Sequence, residues 1–451
     1  YWSAAGYKES LSTSQDASFL KTGTNHNSKG IIAIQELLEV VNNYMTIGAT
    51  EDALTLLSSA ISLGEPYASY PLLYYYKAYN LLKNNNQIEF QNCLDKAGSL
   101  SPLNNYPFRV EEIALFKTLL QERPDNAFLH YHLGNLLYYL GQKENGLEHW
   151  LHATEADPSF AIAARNVGFG YGYLNDWEKS MKYYDRAIKA NPNDPLLLTE
   201  SDKIYEQANI PATQRLKRLE FHLETVMKHD DSVMRLLTLY NAEAKYDKAI
   251  KIMTDRHFHL WEGGGQVHDI YVDSHMLKGI QLLKRKQYKD AIREFNLANQ
   301  YPTYLEVAPS SRSSYEAKVY YLSGIAYEAL KQTDKALECF EKSAETYCRN
   351  DLADLNYYKI KSLRKLNKTE EADAVLSNMQ KTLERMQQNL MDSYAKFGEA
   401  NQNIQQSNVF YYSGLIHLLQ NNSSAAKNNF NQAIQLYPGN IWAQLMNKDV
   451  H

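Results

Sequence analysis

Pro124, Pro158 and Pro192 stand 34 residues apart, and the same interval separates Gly134 from Gly168 and Ala153 from Ala187. Between them run HYHLGNLLYYLGQKENGLEHWLHATEADP and ARNVGFGYGYLNDWEKSMKYYDRAIKANP. A fixed period of this size marks a stack of small helical units, each burying its apolar face against the next. Counting Ala127 as position 1, the unit has a small residue at position 8, another at 20, an aromatic at 24, alanine at 27 and proline near 32. Two helices cross closely only where both lack bulk, which accounts for positions 8 and 20. The aromatic at 24 is expected to fill the space between successive units. The proline, which has no N–H, ends the second helix. A chain of 451 residues is too long for one compact core, and an array removes that difficulty.

The same frame recurs. Gly279, Ala291, Phe295 and Ala298 set a unit starting near Val272, and Gly324, Ala336 and Phe340 one near Ala317. Gly414, Ala426, Phe430, Ala433 and Pro438 set the last, and weaker copies begin near Ile34, Pro71, Asp230 and Ala353. This pattern resembles the tetratricopeptide repeat (TPR). The resemblance implies an all-α fold, a right-handed α-α superhelix (TPR solenoid) of antiparallel helix pairs.

Interruptions divide the array. Residues 1–30 read as a short helix followed by a Ser/Thr/Asn-rich loop, and 31–104 as two divergent repeats. Residues 105–194 hold a lone helix, VEEIALFKTLLQERP, and two well-formed repeats. Residues 195–271 keep helical periodicity without the small residues and end in the glycine-broken loop HFHLWEGGGQ. Residues 272–451 hold four repeats.

Composition narrows the function classes. The net charge is −5 with both signs interspersed, which gives neither a nucleic-acid nor a polybasic membrane signature. No run of about 18 apolar residues exists to span a bilayer. Cys93, Cys339 and Cys348 make no disulfide framework. Cys339 and Cys348 read as sharing a helix, where nine residues separate them by about 13 Å, beyond disulfide reach. The compartment stays open. The chain opens on Tyr1 without a recognisable signal peptide, as expected of a piece of a longer polypeptide.

The irregular pieces, in their order, resemble the C-terminal TPR tail of large bacterial proteins that carry an N-terminal β-rich domain of unknown function. FRVEEIALFKTLL, the two repeats that follow it, LLTLYNAEAKYDKAI and RHFHLWEGGGQV carry the likeness. The family pattern R-x-F-H-P-W-E-G-G-E-G is matched at Arg256, Phe258, His259, Trp261, Glu262, Gly263 and Gly264, and departs at Leu260, where proline is usual, and at Gly265, where an acid is usual. The likeness implies an auxiliary tail of a carbohydrate-active or carbohydrate-binding polypeptide, docking its own β-rich domain. His257, His259, Trp261 and Glu262 would then be a docking loop. A structural loop, with Trp261 plugging a groove and Glu262 bonding a helix N-terminus, fits the same residues. An H-x-H pair could also present imidazoles to zinc, but no cysteine is near and three glycines leave Glu262 poorly fixed. We expect no metal and no cofactor.

No catalytic set is present: no G-x-S-x-G, no H-E-x-x-H and no phosphate loop. GFGYG lies mid-helix where repeats pack. We therefore expect a non-catalytic interaction scaffold that holds a peptide or protein segment in its concave groove. The resemblance to the TPR implies that positions 2, 5, 9, 12 and 13 of each first helix face that groove. Position 5 is Tyr75, Tyr131, Arg165, Met234, Met276, Tyr321, Tyr357 and Tyr411 in the eight full repeats, drawing on the chain's 35 tyrosines. Asn135, Tyr138, Phe169 and Tyr173 adjoin this row. Such rings suit an extended peptide or a sugar chain, or else simply pack on neighbouring helices. Lys361, Arg364 and Lys365 would add a basic patch. The carboxylate-clamp arrangement of chaperone-binding TPRs is matched only by Asn135 and Asn166 and lacks its cations.

Overall fold

The structure, a computed structural model, describes residues 16–103, 105–259, 266–300, 302–305, 315–347, 354–392 and 399–450. Among them are 23 α-helices and no strand. The chain divides into two compact units, Tyr1–Leu197 and Leu198–His451.

In the first unit α1 (Asp16–Thr46) pairs with α2 (Thr50–Ser62), and α3 (Pro71–Lys83) with α4 (Gln87–Ser99). The lone helix α5 (Glu111–Glu122) packs on α3 and on α6 (Ala127–Tyr139). Next, α6 pairs with α7 (Lys143–Ala156), and α8 (Ala161–Tyr173) with α9 (Trp177–Ala190). The unit boundary falls inside α10 (Pro195–Gln207), which turns into α11 (Ala212–Phe221). The second unit continues with α12 (Leu223–Val226), then α13 (Asp230–Ala242) with α14 (Tyr246–Asp255), and α15 (Gln266–Lys284) with α16 (Tyr288–Ala298). After these come α17 (Glu316–Ala329) with α18 (Thr333–Glu345), α19 (Asp354–Lys365) with α20 (Thr369–Asp392), α21 (Glu399–Leu419) with α22 (Ser423–Leu436), and α23 (Ile441–Asp449).

One turn serves all ten helix pairs. Gly48, Asn85, Gly141, Asn175, Asn209, Ala244, Lys286, Lys331, Asn367 and Asn421 have φ between 54° and 85°, and each stands at position 15 of its repeat. A left-handed residue reverses the chain in one step, which favours glycine and asparagine there. Asn209 shows that 195–221, which lost its small residues, keeps the repeat's turn.

The crossing at position 8 is tight. A Cβ on Gly134 would lie 2.5 Å from Trp150 Cδ1, one on Gly168 2.8 Å from Tyr184 Cδ2, and one on Gly324 2.6 Å from Phe340 Cε1. Gly279 and Gly414 meet Phe295 and Phe430 in the same way. Each aromatic at position 24 thus covers the glycine of its own repeat, and Phe340 also faces the next repeat, where Lys365 lies 5.7 Å from its ring centre.

Two readings are corrected. The second half of 1–30 belongs to α1, which starts at Asp16. No proline interrupts it, and lengthening a nucleated helix is easier than starting one. Residues 1–15 lie outside the described residues. Helix α18 ends at Glu345, so Cys339 and Cys348 do not share it, and Cys348 is likewise outside the described residues.

Buried polar groups tie the pairs together. In the first unit Asn105 accepts from Leu72 N–H (3.1 Å) and lies 3.1 Å from His132 Nε2. Glu112 accepts from Tyr76 Oη (3.0 Å) and from the N–H groups of Phe108 and Arg109. In the second, Arg215 donates to Asp202 and Glu206 while Arg235 reaches the same two carboxylates.

Candidate functional site

The tyrosines at position 5 do not form an exposed row. Tyr131, Tyr321, Tyr357 and Tyr411 are only 5, 6, 7 and 5% exposed. Their rings pack on neighbours: Tyr131 lies 5.1 Å from Phe160, Tyr321 5.7 Å from Tyr358, and Tyr411 6.1 Å from Phe430, between ring centres. Tyr357 meets Tyr358 edge-on at 5.1 Å. Burial pushes the Tyr357 phenol up to about 12 and those of Tyr321 and Tyr411 well above their usual value. These four tyrosines turn their rings into the packing between helices, on the next first helix or on the second helix of their own repeat, and serve packing.

The inner wall of the first unit is built beside that layer. Asn135 Oδ1 accepts from Trp150 Nε1 (2.9 Å) and from Asn166 Nδ2 (3.0 Å), while Arg165 Nη1 donates to Asn166 Oδ1 (3.1 Å). The two asparagines are thus bound to each other. Tyr138 stacks on Trp150 at 4.8 Å and meets Phe169 edge-on at 5.8 Å. Burial pushes the Tyr138 phenol up to about 12. Tyr173 is 55% exposed, and the Lys143 ammonium sits 3.6 Å from its ring centre, a cation–π contact. Phe128 and Ile162, at position 2 of their repeats, are half-buried. Tyr138, Phe169, Tyr173, Phe128 and Ile162 therefore give an apolar, aromatic wall with a basic rim.

The second unit differs. Its position-2 residues are Asp231, Asp273, Lys318, Asp354 and Asn408, of which Asp273, Lys318 and Asp354 alternate in sign along α15, α17 and α19. Helix α23 lies against them. Trp442 Nε1 donates to Asp273 Oδ1 (2.9 Å), and the Lys318 ammonium sits 3.4 Å from the Trp442 ring centre and 2.5 Å from Asp354 Oδ2. Lys284 pairs with Asp449 at the far end of α23. Burial pushes the Asp273 carboxyl up to about 7, against the opposing pull of Lys318 and the Trp442 N–H.

The basic patch is engaged within the fold. Lys361 stands 5.0 Å from the Tyr321 ring centre and 5.2 Å from that of Tyr357, and burial lowers its pKa. Arg364 donates to the Leu419 carbonyl at the end of α21 (2.8 Å), and Lys365 pairs with Glu328. Of the loop residues, Arg256 and His259 are held by Asp230 at the start of α13: Arg256 Nε donates to Oδ1 (2.9 Å) and His259 N–H to Oδ2 (3.0 Å). Arg256 and the His259 backbone keep the Asp230 carboxyl below its usual range against the cost of burial. Phe258 is buried, and His257 is exposed. Trp261 and Glu262 lie outside the described residues. Among the described residues no group of three or more His, Cys, Asp or Glu is arranged to hold a metal, and no helix is long and apolar enough to cross a membrane.

Asp273, Lys318, Asp354 and Trp442 were not singled out from sequence. A signal was present: charged residues at position 2 of four successive repeats, and a tryptophan four residues after the last repeat's proline.

Ten helix pairs with one shared turn define an α-solenoid of the tetratricopeptide type. The tetratricopeptide repeat is matched directly by residues 317–346 and 408–440. Similar solved structures include YrrB, described as a TPR protein with an unusual peptide-binding site, at 15% identity over 50% of this chain and 89% of that one (TM-score 0.27). MamA is similar at 13% identity over 42% and 94% (TM-score 0.25). A tetratricopeptide repeat protein from Parabacteroides merdae is similar at 14% over 65% and 98% (TM-score 0.28).

Proposed function

We propose that the chain is a non-catalytic scaffold whose first unit binds a peptide or protein segment rich in apolar and aromatic side chains. One observation carries this reading: Phe128, Tyr138, Ile162, Phe169 and Tyr173 leave apolar surface half-covered on one wall of two successive repeats. The repeat frame does not require aromatics there, and surface of this kind is suited to a partner's side chains. Lys143 at the rim favours an acidic residue flanking the bound segment. The fixed Asn135–Asn166 pair offers backbone-type hydrogen bonding between the two repeats.

A displayed peptide library selected against the full chain tests this. Peptides with aromatic or large aliphatic residues should be enriched. Phe169→Ser with Tyr173→Ser should weaken the selected peptides by roughly tenfold or more. Binding should also slow hydrogen exchange across 161–173. Equal binding to the double variant would refute the assignment of this wall.

A further inference from the structure

The second unit carries a separate inference, independent of the one above. We propose that its inner wall is a receptor for a partner protein's short helix bearing a tryptophan and, two turns later, a carboxylate. Helix α23 holds that site as an intramolecular copy of the ligand.

The fit is specific on both sides. Trp442 and Asp449 are seven residues apart, which places them on one face of α23 two turns apart. Ala443 and Met446, on the same helix, are buried at 0 and 8%. The wall answers each group. Asp273 takes the indole N–H, Lys318 lies against the indole face, and Lys284 takes the carboxylate. Lys318 is 1% exposed, and a buried ammonium is costly unless compensated. Asp354 supplies the counter-charge, and the Trp442 ring is the nearest of three rings around the ammonium, ahead of Tyr358 at 5.5 Å and Tyr315 at 5.7 Å.

Repeat packing does not demand this charge row. Position 2 in the first unit is Gln35, Leu72, Phe128, Ile162 and Leu196, none of them charged, on the same frame with the same turn. An acid, a base and an acid on successive repeats are therefore a recognition feature of the second unit.

The intramolecular helix is also replaceable. Trp442 is only half-buried, and the Lys284 and Asp449 side chains are 49 and 38% exposed, a setting in which an ion pair holds weakly. What retains α23 is its tether: residues 437–440 connect it directly to α22, which keeps it at high effective concentration beside the wall. A partner helix must outcompete that tether.

The probe is a labelled peptide with the sequence of residues 437–450, added to the full chain. The unmodified chain should bind it weakly. Trp442→Ala with Asp449→Lys in the full chain, which alters α23 and leaves the wall intact, should bind it at least roughly tenfold more tightly. Adding Lys318→Met should remove the gain.

A second measurement needs no variant. Carbodiimide coupling should join Lys284 to Asp449 in the unmodified chain, and excess peptide should lower that yield, whereas a peptide with Trp442 and Asp449 exchanged for alanine should not. Three results would overturn the proposal: equal peptide affinity of unmodified and variant chains, a coupling yield insensitive to the peptide, or dimers that exchange α23 between two copies. The last would make the wall an interface of this chain with itself. None of these readouts involves Phe169 or Tyr173, so the first-unit reading is judged separately.

Discussion

The two units use one repeat frame and one turn but present different inner walls. In the first, position 2 holds Gln35, Leu72, Phe128, Ile162 and Leu196; in the second, Asp231, Asp273, Lys318, Asp354 and Asn408. Buried polar chemistry follows the same division. His132 and Glu112 in the first unit rest on neutral partners and backbone donors, with one arginine, Arg109, beside Glu112. The second unit sets Asp202 and Glu206 against Arg215 and Arg235. The positions that close the helix pairs are thus common to both, and the positions left over by packing carry the difference.

The largest effect should come from unbalancing the four-charge cluster. Arg215→Ala leaves buried Asp202 and Glu206 short of donors and should cost about 3–5 kcal/mol. Denaturation followed by hydrogen exchange should locate the loss in 198–255. A loss spread equally over the first unit would break the distinction between the units.

Next come the packed rings. Tyr131→Ala and Tyr411→Ala should each cost about 3 kcal/mol through cavity formation. Tyr173→Ala, at an exposed ring, should stay within about 0.5 kcal/mol. Comparable losses at all three in urea titration would contradict the burial of position 5.

The helix crossing should behave alike in both units. Gly168→Leu and Gly324→Leu should each destabilise by about 1–3 kcal/mol through overpacking against Tyr184 and Phe340. A neutral result at either position, read by thermal midpoint, would show that crossing to be looser than its partner.

The smallest effect is one of sign. Burial holds His132 down to about 3, so its neutral form is favoured in the fold. That contribution is complete above the unfolded value near 6.5 and is lost as pH falls toward 3, at most about 1.4 kcal/mol per pH unit. His149, held near 4, has the same sign. Asp273, raised to about 7, is favoured protonated among Lys318, Trp442, Asp269 and Asp354. Its contribution is complete below the unfolded value near 4 and is lost as pH rises toward 7. Between pH 6.5 and 5, after correction for intrinsic exchange, protection should fall around 127–139 and rise around 266–284. His132→Leu should flatten the first trend. Parallel trends in the unmodified chain would remove the electrostatic contrast.

The repeat was legible because it is written in small residues. Gly134 and Gly168 are forced by Trp150 and Tyr184, and no other side chain fits under those rings. Helix α5 was legible as half a repeat because its apolar spacing lacks a partner of the same frame. The inner walls were much less so. Tyrosine suits a ligand-facing surface and a packed layer equally, and nothing in the spacing of Tyr131 or Tyr321 tells one from the other. Trp442 was missed for a different reason: its partner Asp273 is 169 residues away, and periodicity has no information on so long a range.

That distance also sets a schedule. The helix pairs form from neighbours in sequence, whereas α23 meets its wall only after the intervening pairs have stacked, since its contact with Asp273 spans 169 residues. On a ribosome the delay is longer still. Asp354, the last acidic residue of the wall, is made 88 residues before Trp442. At about 5–20 residues per second, the charge row would wait roughly 4–18 s for its cover. Each new molecule would therefore pass through a period when a partner helix meets no competitor, and association during synthesis would be easier than at any later time.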